Sequence, residues 1–164
     1  MKVVVNCIIS NPHDACTLLF VRTKKYNDLS LPGTYVPEGA NGRDLLVKSV
    51  TERTGITIEC FKRNIYETVF KINNDEFKRV VYVSDSHSGT PTTRGDMTKY
   101  GIEIFPPDLI FNKDWTPKKD KRFAPGVLEV LLKYYADVDG LAVKYPKHTP
   151  LKGLDIAKHV QAIR

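Results

Sequence analysis

The stretch from Leu31 to Ile56, LPGTYVPEGANGRDLLVKSVTERTGI, constrains this chain more than any other. It opens on a Pro-Gly turn, passes a second Gly-containing turn, and then places apolar residues at helical spacing before Thr54-Gly55-Ile56. That order predicts a loop-helix-loop unit with the helix starting near Asn41 to Arg43. Asn41 or Asp44 offers an acceptor or a negative charge to the unpaired amides of the first turn. Leu45, Leu46 and Val50 form the expected buried stripe, and Gly55 ends the helix because it takes a left-handed conformation at little cost.

Around this unit the chain alternates short apolar runs with turn residues. Lys2 to Ser10 is β-branched and reads as a strand buried on both faces. Asn11-Pro12-His13-Asp14 is a turn, and Cys16 to Arg22 returns as the second strand of an antiparallel hairpin. Thr57 to Phe61, Ile65 to Ile72 and Phe77 to Ser84 read as further strands, the last two joined by the Asn73-Asn74-Asp75 turn. Ser84 to Lys99 is polar and reads as a loop. Ile102 to Phe105 is a short strand closed by Pro106-Pro107, and Asp108-Leu109-Ile110 opens a short helical or irregular segment. A second clear helix is expected over Phe123 to Val138, with Pro125 in its first turn. These elements place residues 1–140 in one domain. Residues 141–164 form a Pro- and Lys-containing linker and a last helix, Leu154 to Ile163, that packs on the domain or serves a protein partner.

At 164 residues the chain is long enough for one well-packed core. A net charge of +6 favours an anionic partner such as a nucleotide or nucleic acid. Cys7, Cys16 and Cys60 cannot all pair within one chain and lack C-x-x-C spacing, which argues against zinc and against a disulfide framework. A reducing, cytoplasmic setting is the expectation. The N-terminal MKVVVNCIIS is too short for a signal sequence, and no apolar run reaches membrane-spanning length.

A hairpin, a loop-helix-loop, further antiparallel strands and a late helix describe an α+β sandwich. In that setting Leu31 to Ile56 resembles the signature box of the Nudix hydrolases (nucleoside diphosphate linked to x), written G-x5-E-x7-R-E-U-x-E-E-x-G-U with U aliphatic. Gly55-Ile56 fills the closing G-U, and Leu31-Pro32-Gly33 matches the usual lead-in. The resemblance implies an α/β/α sandwich with a mixed, mainly antiparallel sheet. The box is degenerate: Thr34 falls on the first Gly, Ala40 on the first Glu, Lys48 on the Arg, Ser49 on the next Glu, and Arg53 on the last Glu. Val50, Glu52, Gly55 and Ile56 match.

Ser49, Glu52 and Arg53 stand at i, i+3 and i+4, so they share one side of a helix. In the active family that side carries three carboxylates that hold a divalent metal against a pyrophosphate. Here one position is a hydroxyl and another a guanidinium, whose fixed charge opposes a cation but binds phosphate in a bidentate way. The leading expectation is therefore a catalytically degenerate Nudix-fold pseudoenzyme that needs no cofactor to bind a nucleotide or RNA phosphate, with Arg53, Ser49, Lys48, Arg22 and Lys24 as ligand-binding residues. One alternative is an active hydrolase of a nucleoside diphosphate derivative, with Glu52 catalytic and Glu52 and Glu38 holding Mg2+ or Mn2+. Another is an interaction or scaffold protein acting through residues 141–164. A further basic cluster, Lys118, Lys119, Lys121 and Arg122, is interleaved with Trp115 and Phe123 as nucleic-acid sites are. The four histidines, His13, His87, His148 and His159, show no metal-pair spacing.

Overall fold

The computed structural model describes residues 1–92 and 101–163. The segment 93–100, which holds the end of the expected Ser84 to Lys99 loop and the acid Asp96, lies outside the described residues, as does residue 164. The β-branched opening forms β1 (Lys2–Ile8), buried from Val4 onward. The chain then crosses to a second sheet, so the expected hairpin is confined to β2 (Ser10–Asn11) and β3 (Asp14–Arg22). Strand β1 instead pairs antiparallel with β5 (Gly33–Val36) and parallel with β7 (Asp75–Ser88). Its parallel neighbour makes this sheet mixed.

Strands β5, β1, β7 and β6 (Thr57–Ile72) follow one another across the first sheet. The second sheet holds β2, β3, β4 (Leu29–Ser30) and β8 (Ile102–Phe105), with β8 on β3. The two strands expected over residues 57–72 are one strand, because the chain stays paired with β7 through a bulge at Phe61/Ile65 that extrudes Lys62, Arg63 and Asn64. Likewise residues 84–88 extend β7 rather than opening a loop.

Helix α1 (Gly42–Thr54) begins and ends as its local chemistry requires. The Asn41 side chain accepts from the Asp44 amide at 3.1 Å, and Gly55 closes the helix at φ 78°. Leu46 and Val50 are buried against Val5, Cys7 and Ile9, whereas Leu45 is only half-buried. After α2 (Pro107–Ile110), helix α3 (Val127–Asp137) starts four residues later than its sequence suggests. Gly126 sits at φ 80°, so Phe123, Ala124 and Pro125 run into the helix rather than within it. Phe123 instead bridges Leu29 beside β4.

The chain past Gly140 contributes to the main core. A short α4 (Leu141–Lys144) leads to α5 (Ile156–Ile163), which begins two residues after Leu154. Leu151 and Val160 join the cluster that holds Trp115, Leu131 and Tyr135. Trp115 is fully buried, and its Nε1 donates to the Thr149 carbonyl at 2.6 Å. Among the described residues no helix is long and apolar enough to cross a membrane.

The half-buried His148 lies against this packing. His148 rests 5.0 Å from the Trp115 ring and 5.2 Å from that of Tyr145, and its Nε2 has no hydrogen-bond partner. Burial holds its pKa below the usual 6.5, with Asp108 opposing and Lys113 and Lys118 assisting. A base whose folded-state pKa is depressed supports the fold fully above its unfolded value and loses that support as pH falls below it. Emission from Trp115, the single tryptophan, is therefore expected to change on acidification with a midpoint below pH 6.5. His148→Phe is expected to remove that transition, which a fluorescence titration of both proteins checks.

Candidate functional site

The box helix lies on the first sheet and is joined to its opposite face by strand β5. At the start of β5, Gly33 meets α1: the Ser49 hydroxyl donates to the Gly33 carbonyl at 3.1 Å. Ser49 is only 7% exposed. Of the three residues expected to share one helix side, Ser49 is turned inward by the docking of Leu46 and Val50. Glu52 remains in solvent, its side chain 64% exposed and 4.0 Å from Lys48 one turn back. Arg53 is half-buried and makes no side-chain hydrogen bond or ion pair among the described residues.

Of the side chains at residues 49, 52 and 53, only that of Glu52 is a carboxylate. Mg2+ requires several oxygen ligands in near-octahedral order. The Ser49 oxygen is engaged with a carbonyl, position 53 is cationic, and Glu52 faces an ammonium group. Glu38 lies in the exposed turn before the helix, while Glu52 is near its far end, about 16 Å of helix away from Asn41. The two thus flank the helix, Glu38 before its start and Glu52 near its end. Among the described residues no three His, Cys, Asp or Glu side chains converge to hold a metal ion.

Two residues further along β5, about 7 Å on, Tyr35 points to the other face of the sheet. It is 61% exposed and its ring lies 6.0 Å from Phe77, which in turn stacks on Phe70 at 5.3 Å. The Arg79 guanidinium continues this ladder 4.8 Å from the Phe70 ring. Arg79 is buried: its Nη1 donates to Asn6 Oδ1 at 2.6 Å, and its Nη2 to the Pro125 carbonyl at 2.8 Å. Burial lowers its pKa to about 10, so it stays charged at neutral pH. Asn6 Nδ2 donates to the Leu31 carbonyl at 2.8 Å, tying the ladder to the chain just before the box. Outside the ladder, a groove of about 970 Å³ is lined by Lys2, Tyr35, Glu38, Gly39, Ala40 and Phe77.

Sequence reasoning missed Tyr35, Asn6 and Arg79. The signal existed for Arg79, which falls on the same strand phase as the inward Phe77 and Val81.

The other expected binding residues fall at one end of the second sheet. Arg22 Nε bonds Glu103 at 2.9 Å and Nη1 donates to the Asn27 carbonyl at 2.9 Å. Arg122 Nη2 donates to the Tyr26 carbonyl at 3.3 Å, so two arginines distant in sequence hold one turn. Lys24 stands exposed on that turn. Lys121 lies 4.7 Å from the Phe105 ring and 3.6 Å from Asp120, and Lys118 and Lys119 precede it in the adjoining turn. The structure therefore joins Arg22 and Lys24 to the 118–122 cluster. Trp115, expected to interleave with that cluster at the surface, is instead core.

This arrangement of sheets, box helix and late helix is the Nudix fold. A MutT Nudix hydrolase from Burkholderia pseudomallei superposes with a TM-score of 0.61 at 16% identity, over 79% of this chain and 95% of that one. The ORF135 protein of E. coli gives 0.60 at 15% identity, over 80% and 86% of the two chains. The mutator MutT protein from Bacillus halodurans gives 0.51 at 18% identity, over 66% and 70%. At such identities the likeness is one of fold. No family model and no curated protein matches the sequence.

Proposed function

We propose that this Nudix-fold protein binds a nucleotide or RNA phosphate without hydrolysing it. The observation that carries the reading is the box helix itself: where a metal-dependent pyrophosphatase needs carboxylates, this one has an inward hydroxyl at Ser49 and a guanidinium at Arg53. A guanidinium binds phosphate directly and bidentately, so no metal has to mediate. Lys48, five residues earlier on the same helix, is a second cation, 4.0 Å from Glu52. The protein then works as a sensor or carrier of its ligand.

Calorimetry with nucleoside mono-, di- and triphosphates and short RNAs, in EDTA and again in Mg2+ or Mn2+, tests this together with a phosphate-release assay. Saturable binding independent of metal and no release are expected. Arg53→Glu is expected to weaken binding about tenfold or more, the loss of a charge-assisted bond. No binding at modest salt removes the proposal. Phosphate release that depends on Mg2+ or Mn2+ and disappears in Glu52→Gln replaces it with the hydrolase reading, which the exposed Glu52 carboxylate favours.

A further inference from the structure

The turn at residues 23–28 is unusually well fastened for an exposed loop. The Asn27 amide donates to the Thr23 carbonyl at 2.8 Å and the Thr23 amide to the Asp28 carbonyl at 2.9 Å, while the Thr23 hydroxyl bonds the buried Asp28 carboxylate. Asn27 takes φ 54°, and the carbonyls of Tyr26 and Asn27 are held by Arg122 and Arg22. Backbone pairing locks the second segment beside it: the Leu29 amide donates to the Arg122 carbonyl and the Ala124 amide to the Leu29 carbonyl, each at 2.8 Å. The outward side chains of this rigid junction are Lys24, Lys25, Tyr26, Lys119 and Arg122. Tyr26 is 51% exposed, with the Lys25 ammonium 5.3 Å from its ring on one side. Among the described residues the nearby acids are already engaged: Glu103 by Arg22, Asp28 by Thr23, and Asp120 by Lys121.

We infer that this junction is a docking strip for a single-stranded polynucleotide, whose phosphates run along Lys24, Lys25, Lys119 and Arg122 while one base stacks on Tyr26. Charge complementarity selects the anion, and the exposed ring selects a strand with an unstacked base, since paired bases present no free face. The fixed turn holds these groups in place before the ligand arrives, which lowers the ordering cost of binding. The strip extends the nucleotide reading above to a chain of nucleotides and rests on residues other than Arg53.

Fluorescence anisotropy with labelled RNA and DNA single strands of about twelve nucleotides, and with a duplex of the same sequence, tests it. Lys24→Glu/Lys25→Glu is expected to weaken single-strand binding at least about tenfold and to reduce the slope of log affinity against log salt by about 1.4, two contacts at roughly 0.7 each. Tyr26→Ala is expected to cost about fivefold or more on single strands and nothing on duplex. Lys152→Glu/Lys158→Glu, on exposed positions of the C-terminal segment, controls for net charge. Strip variants that bind single strands as this control does overturn the inference, as does equal wild-type affinity for duplex and single strand. Preference for RNA or for DNA identifies the strand type, and either supports the strip. Wild-type protein that binds the strand but no mononucleotide removes the cleft reading and leaves this one. Mononucleotide binding with strip variants that match the control does the reverse.

Discussion

Gly33→Ala is expected to destabilise the protein by at least about 3 kcal/mol, the upper part of the range for overpacking. For a domain of this size that corresponds to a fall of roughly 6–12 °C in Tm. A Cβ at residue 33 would lie 2.0 Å from the Val5 carbonyl oxygen and 2.5 Å from Asn6 Nδ2. Neither neighbour can withdraw cheaply. Val5 is paired with Thr34 in the β1–β5 ladder, and Asn6 Nδ2 is bonded to the Leu31 carbonyl. Any shift of β5 also displaces the carbonyl that receives the Ser49 hydroxyl and the ring of Tyr35 beyond it. Differential scanning fluorimetry of Gly33→Ala beside Thr34→Ala, which only shortens a half-buried side chain, measures this. An unchanged Tm at Gly33→Ala would mean that β5 does not sit on β1 in this register.

Arg79→Ala is expected to cost about 4 kcal/mol. The Asn6 Oδ1 and the Pro125 carbonyl would lose their donor in a buried setting, each worth about 1–3 kcal/mol. The stacked guanidinium and its alkyl stem would leave a gap beside Phe70 and under Gly126. Arg79→Lys keeps the charge but cannot reach both acceptors with planar geometry, so it is expected to recover only part of the loss. Urea unfolding of the three proteins gives the comparison. Equal midpoints for wild type and Arg79→Ala would show that the ladder is not held from its buried end.

How far the sequence could be read depended on the range of the forces involved. The ends of α1 were legible because Asn41 and Gly55 act on amides and dihedrals within one turn of themselves. The start of α3 was not, because Phe-Ala-Pro-Gly suits a proline inside the first turn as well as it suits the left-handed Gly126 actually present, and the choice is made by packing against Thr68. The direction of Ser49 was equally hidden, since helical spacing says which residues share a side and only docking says which side is buried. Arg79 finds its partners at Asn6 and Pro125, separated from it by 73 and 46 residues. The meeting of residues 22–25 with 118–122 depends on long-range pairing, the Leu29 to Phe123 bridge and the Arg122 bond to the Tyr26 carbonyl, that no local pattern announces.

The bond from Ser49 to Gly33 also bears on how such a box can change over generations. A glutamate at residue 49 would aim its carboxylate at the Gly33 carbonyl in a site nearly closed to water, and with Arg53 unchanged it would still complete no metal site. A carboxylate at residue 49 is therefore expected to cost stability, whereas residue 53, which makes no side-chain bond among the described residues, carries no such constraint.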